Sequence, residues 1–244
     1  MTALPTFIGI DPAPTKTTVA YDGDSFHEVA PEMLREWLEA RRESAKGGIV
    51  VAWDAPLALD PEYRCPRRGH FVGFYRRRFD DVARKWAEGQ DRLQDKAVNV
   101  GHLGGLPHWI ITCEVLGHPF GESFAPLLCR PEDFDGRAGL IEVHPAFSLA
   151  VWWLADESVE DHFPRYKSGY KSDQQSAREL IVDRLGYLDI PVRCAGSDDY
   201  LDAWAGWRMA RDFWVGDAIW AGNPDFGAYV LPATCREVGP FLND

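Results

Sequence analysis

From Ile49 to Trp53 the chain reads Ile-Val-Val-Ala-Trp, apolar at every position, and it turns polar at once in Asp54-Ala-Pro56. A strand with one wet face alternates in polarity; this run does not, so it is covered on both sides, the pattern of a central strand in a parallel arrangement. Phe7-Ile-Gly-Ile-Asp11 repeats the construction: a short apolar strand that also ends on an aspartate. Two such strands place helices above and below a sheet. If they are parallel neighbours, both acids arrive at the same edge.

The segments around these strands complete the expected order. Thr17 to Tyr21 and Ser25 to Val29 form two further strands, joined by Asp22-Gly-Asp24, a hairpin signal. Pro31 suits a helix's first turn, and Met33, Leu34, Trp37, Leu38 and Arg41 recur at helical spacing through Glu43, before Gly47-Gly48. Helices are also expected over Trp109 to Leu116, Ala146 to Leu154, from the capping-box sequence Ser172-Asp-Gln-Gln175 to about Leu185, and from Asp198 to about Val215 after the cap Ser197. Strands are expected at Gly139 to Val143 and Gly227 to Leu231. Residues 57–106 break this pattern with prolines, arginines, a helical stretch around Asp80 to Ala87, and Gly101-His-Leu-Gly-Gly105; they read as an insertion or lid within one domain spanning 1–244. Hairpins followed by strand-helix-strand units give an α/β fold: a mixed five-stranded sheet flanked by helices, its first strand pairing with both halves. This order resembles the ribonuclease-H-like fold.

Four carboxylates occupy informative places. Asp11 and Asp54 end strands, Glu142 lies in the next strand, and Asp202 sits in the last long helix, on the stripe Asp198, Leu201, Asp202, Ala205, Met209 that is otherwise largely apolar. Beside it Ala203, Gly206 and Ala210 form a small-residue stripe that lets the helix come close to the sheet. Converging carboxylates repel, and each pKa rises unless a cation intervenes. Oxygen ligands with few histidines favour Mg²⁺ or Mn²⁺ over zinc, and two such ions activate water and stabilise the leaving oxygen in phosphodiester cleavage. Each acid also has a structural reading: Asp11 and Asp54 as turn formers before proline, Asp198 and Asp199 as partners of the helix dipole, Asp202 as a buried acid satisfied by an arginine or backbone.

Around this set, His144 either relays protons or ends a strand. Lys167 and Lys171, flanked by Tyr166 and Tyr170, either contact phosphate or are solvated. Arg64, Arg67, Arg68, Arg76, Arg77 and Arg78 fall in fifteen residues without an acid, interleaved with His70, Phe71, Phe74 and Tyr75. Guanidinium groups among aromatics suit a nucleic-acid backbone, and the alternative is pairing to the protein's own acids. Those acids are in excess, 38 Asp and Glu against 26 Lys and Arg, for a net charge of -12. A chain of that charge repels phosphate on average, so a nucleic-acid partner must enter past a local basic patch.

Other classes are set aside. The five cysteines, Cys65, Cys113, Cys129, Cys194 and Cys235, are an odd number without a CxxC pair, which fits neither a disulfide framework nor structural zinc. His102, His108, His118 and Cys113 cluster in sequence, yet their spacing matches no zinc pattern. The beginning of the sequence has no basic-then-apolar leader, and the longest apolar run, Pro145 to Ala155, is too short to span a bilayer. Cytoplasmic residence and no membrane partner are expected.

Phe7-Ile-Gly-Ile-Asp11, Val50-Val-Ala-Trp-Asp-Ala-Pro56, Ile141-Glu-Val-His-Pro-Ala146, Tyr166-Lys167 before a helix, Asp198-Asp-Tyr-Leu-Asp-Ala203 and Gly227 to Pro232 together resemble the bacterial and archaeal family called domain of unknown function 429, predicted nucleases of the ribonuclease-H-like superfamily. The resemblance implies that fold and an acidic metal site at Asp11, Asp54, Glu142 and Asp202. It supplies no substrate. The arginine-rich stretch of 57–106 looks particular to this branch.

Two rival readings remain. Gly9-Ile-Asp-Pro-Ala-Pro-Thr-Lys-Thr-Thr18 resembles the first phosphate loop of actin-like ATPases and sugar kinases, where Asp11 would hold magnesium through water; those enzymes, however, carry two such subdomains. The other is a non-catalytic binding or scaffold protein that kept the fold.

Overall fold

A computed structural model describes residues 3–58, 60, 77–95, 97–98, 106–118, 121–158, 160–167, 174–223, 225 and 227–235. Its centre is a five-stranded sheet in which β1 (Thr6–Asp11) pairs antiparallel with β2 (Thr18–Tyr21) and parallel with β4 (Ile49–Trp53). The hairpin partner β3 (Phe26–Val29) forms one edge and β5 (Ala138–Glu142), parallel to β4, the other, giving the order β3-β2-β1-β4-β5. The first strand pairs with both halves, as the sequence order implies. Every residue of β4 and β5 is buried, which accounts for the absence of polar alternation in β4.

Alternation reappears as a choice between two apolar layers. Ile8, Ile10, Ile49, Val51 and Trp53 face one core, closed by α1 (Leu34–Ser44) through Leu34 and Leu38 and by α3 (Leu106–Leu116) through Ile111, Val115 and Leu116. Val50, Ala52 and Ile141 face the other, where α4 (Pro145–Ala155), α5 (Gln174–Arg184) and α6 (Asp198–Val215) pack. The fold is therefore α/β, a mixed sheet between helical layers. Trp53 shows how completely the first core closes: its indole N–H donates to Thr112 Oγ1 at 2.9 Å, supplying the partner a buried indole needs.

Two features depart from the expected order. Residues 218–223 form β6 (Ala218–Asn223), which pairs antiparallel with β7 (Gly227–Pro232) in a separate two-stranded sheet. The described part of 57–106 is also less detached than a lid. Its helix α2 (Arg78–Glu88) buries Phe79, Ala83 and Trp86 in the second core, with the Trp86 and Phe147 rings 4.7 Å apart. Arg64, Arg67, Arg68 and Arg76, the glycine-rich 101–105, Lys171, and Ser172 of the capping box lie outside the described residues. No helix among the described residues is long and apolar enough to cross a membrane.

Candidate metal centre

The parallel register of β1 and β4 pairs Gly9 with Ala52 and Ile10 with Trp53, so Asp11 and Asp54 follow as the next pair on one face of the pleat. The ladder continues to that point, since Asp54 N–H donates to the Ile10 carbonyl at 3.1 Å. Asp202 reaches the same edge from α6, whose small residues lie directly on β1 and whose start is capped by Ser197 Oγ accepting from Asp199 N–H at 3.2 Å. One carboxylate oxygen from each of Asp11, Asp54 and Asp202 lies within 4.8 Å of the others. Residues distant in sequence meet because two strand ends and one helix face converge.

Glu142 is not part of this group. It pairs with Trp53 rather than with Asp54, and a register difference of one residue sends a side chain to the other face of a sheet. Both its oxygens are engaged there: Oε1 accepts from Arg77 at 2.5 Å, and Oε2 accepts from Arg77 and from Leu57 N–H, each at 2.8 Å. Arg77 also binds Asp80 Oδ1 at 3.0 Å, and the Tyr229 hydroxyl donates to that same oxygen at 2.6 Å. Arg77 is 1% exposed, so its guanidinium is the cation of an internal cluster, the alternative in which these arginines pair with the protein's own acids. Arg78 opens α2. His144 is buried as the cap of α4: Nδ1 accepts from Phe147 N–H at 3.3 Å and the ring lies edge-on to Tyr229. That position matches the strand-ending reading.

Lys167 does reach the aspartates. Its ammonium lies 2.7 Å from Asp202 Oδ2 and 3.9 Å from Asp54 Oδ2. Beside it the buried Tyr166 hydroxyl donates to Asp202 Oδ1 at 2.5 Å. Arg178 holds this segment in place by donating to the carbonyls of Tyr166, Ala195 and Gly196, which ties it to the approach of α6. Sequence reasoning named Tyr166 as a flank of Lys167 and within the segment Tyr166-Lys167, without a role of its own, and missed Arg178; the available signal was an arginine on the Ala177 and Ile181 side of α5.

The electrostatics follow from burial. Asp54 is pushed up to about 7 by loss of solvation, an effect opposed by Lys167 and reinforced by Asp202 and Glu142. Asp11 rises well above the usual carboxylate range through burial and the charges of Asp202 and Asp54. Burial also raises Asp202, against the pull of Lys167 and Tyr166. Burial would lower the Lys167 ammonium, but Asp202, Asp54 and Asp11 outweigh it and hold the group charged. The decisive atom is Asp54 Oδ1, buried without a hydrogen-bond partner among the described residues. A buried carboxylate oxygen left so is costly, and a hard divalent cation satisfies it.

No protein-family model, curated protein or solved structure matches the chain. The site is thus read on its own chemistry. A cleft of about 260 Å³ is lined by Asp11 and Asp202 of the three aspartates, together with Asp198, Asp199, Lys16, His108 and Lys167; Asp54 lies behind this wall, not on it. A larger cavity of about 720 Å³ lies at the opposite ends of β4 and β5, lined by Arg42, Phe124 and Arg137 among others; the aspartate group is not in it. Among the described residues the aspartates are the one grouped set of potential ligands; Cys113 Sγ lies against the His118 carbonyl, and His102 lies outside the described residues.

Proposed function

We propose that this protein is a metal-dependent nuclease of the ribonuclease-H-like class, hydrolysing phosphodiester bonds with Mg²⁺ or Mn²⁺ at Asp11, Asp54 and Asp202. The observation that carries the reading is Asp54 Oδ1, buried without a hydrogen-bond partner among the described residues, on a carboxylate grouped with two others of raised pKa. The strand order β3-β2-β1-β4-β5, with strand-end acids on β1 and β4, supports the ribonuclease-H-like reading. A bound divalent cation supplies Lewis acidity toward a phosphoryl oxygen and lowers the pKa of water. The chain's own residues do the rest: Asp11, Asp54 and Asp202 would hold the cation, Tyr166 fixes the orientation of Asp202, and Lys167 offers a phosphate group an ammonium, Lys16 being paired to Asp199.

The phosphate-loop reading is weaker here. Thr18, the last residue of that loop, is buried and accepts a hydrogen bond from Ala13 N–H at 3.0 Å, so its hydroxyl is engaged within the loop. The scaffold reading has one observation in its favour, because the Lys167 ion pairs already offset part of the aspartate charge. A panel of single-stranded and structured DNA and RNA separates these readings. A nuclease cleaves some member in Mg²⁺ or Mn²⁺ but not in chelator, and Asp11→Asn abolishes cleavage while remaining folded. Identical behaviour of wild type and Asp11→Asn across the panel defeats the proposal.

A further inference from the structure

We infer that this centre takes one divalent cation rather than two, and that the Lys167 ammonium stands where a second cation's charge would be. The inference rests on the proposed metal-dependent activity and specifies the cation count of that same site.

Three observations carry it. First, a second ion would have to take the oxygens that Lys167 faces. A pair of ions about 3.5–4 Å apart needs carboxylates on both sides as well as between them; Glu142 has both oxygens committed to Arg77 and Leu57 N–H, and Asp199 on the cleft wall has both on Lys16. Second, the oxygens of Asp202 are divided between two donors of the chain, Oδ1 receiving the Tyr166 hydroxyl and Oδ2 the Lys167 ammonium. Asp54 Oδ2 also faces Lys167, at 3.9 Å, which leaves Asp54 Oδ1 as the buried oxygen without a hydrogen-bond partner among the described residues. Third, the charge closes with a single ion. The three ionised aspartates carry three negative charges and Lys167 returns one, so one divalent cation neutralises these four groups; a second would leave them with two positive charges against the one negative charge that Asp198 adds on the cleft wall, where Asp199 is paired with Lys16.

Lys167 is a positioning residue toward Asp202 and Asp54, and its ammonium remains available to an incoming anion because a third of the side chain is exposed.

Manganese bound per chain, measured by equilibrium dialysis at saturation with electron paramagnetic resonance of the same samples, tests the inference without reference to activity. Wild type is expected to hold one Mn²⁺ with the uncoupled six-line signal, and Lys167→Met to hold two with a spin-coupled signal. Lys167→Arg, which keeps the charge, stays at one. If Lys167→Met does not fold, Lys167→Gln replaces it with the same expectation. Two ions in wild type overturn the inference and leave the nuclease reading intact. One ion in the wild type and in the neutral variant overturns the role given to Lys167. No ion in any of these proteins overturns both the inference and the proposed function.

Discussion

Gly9 of β1 and Gly206 of α6 lie in direct backbone contact: a methyl group added to Gly206 would stand 3.3 Å from the Gly9 Cα. The contact sets how closely α6 approaches the sheet, and so how near Asp202 comes to Asp11. The two glycines are not equivalent. A Cβ on Gly9 would lie 2.0 Å from the Ala203 carbonyl oxygen and 2.1 Å from Trp207 N, both backbone atoms of the helix. Gly9→Ala must lift α6 from β1 and is expected to cost about 3 kcal/mol, the upper range for overpacking a core. Gly206→Ala meets only a tight contact, and the gain of about 1 kcal/mol in helix propensity offsets it. Urea denaturation should therefore separate the two variants by at least 2 kcal/mol, roughly. Equal stability would mean that this contact does not set the helix position.

Asp11→Asn and Asp202→Asn should both eliminate metal-dependent cleavage yet move stability in opposite directions. Asp11 is raised by burial and by two neighbouring carboxylates, so neutralising it relieves repulsion and raises the melting temperature in chelator. Asp202 is the nearest partner of Lys167 and accepts from Tyr166. Removing its charge strands a largely enclosed ammonium, at a cost of about 2–3 kcal/mol, below the usual range for a broken buried pair because part of Lys167 reaches solvent. Thermal melts in chelator read the difference; a stabilised Asp202→Asn would contradict it.

What was legible in the sequence follows from how local each signal is. The apolar run of β4 and the helical stripe carrying Asp202 are written in consecutive or i, i+4 residues, and both elements form where that spacing predicts. Asp11 and Asp54 were readable as a pair because each directly follows its strand's last apolar residue, which fixes their register. Glu142 was not, since its position relative to Asp54 depends on a β4 and β5 register that no local pattern encodes. Arg77 reads as a surface residue beside other arginines; its burial depends on Glu142, 65 residues away, although Asp80 three residues on was a visible hint. β6 carries little alternation, and its burial is intermediate over Ala218 to Trp220; it is a strand because β7 pairs with it.

The Arg77 cluster gives a test that distinguishes internal pairing from phosphate binding. Arg77 touches Glu142 and Asp80 in an enclosed site, and deleting one partner of a buried pair costs about 3–5 kcal/mol. Arg77→Met should show that loss in denaturant melts. Glu142→Gln retains an acceptor for Leu57 N–H and should lose less, and the double variant should lose less than the sum of the two. A full-stability Arg77→Met with weakened nucleic-acid affinity would return Arg77 to the substrate-binding role.

The raised carboxyl at Asp54 makes both stability and metal affinity depend on pH, with a determined sign. A carboxyl whose folded pKa lies above its unfolded value binds more protons folded than unfolded. Its contribution is therefore present below the unfolded value, near 3.8, and is lost as pH rises through the folded value of about 7. In chelator, the stability of wild type relative to Asp54→Asn should fall between about pH 4 and pH 7 and level off above, with Asp11 and Asp202 shifting in the same direction. A metal ion takes the place of the proton, so Mn²⁺ affinity should rise up to about tenfold per pH unit below 7 and flatten beyond it. Differential melts of wild type and Asp54→Asn from pH 5 to 8.5, with chelator and with saturating Mn²⁺, measure both. A stability difference that is flat with pH in chelator would show that Asp54 is ionised throughout, and the proton would then have no part in metal uptake at this carboxylate.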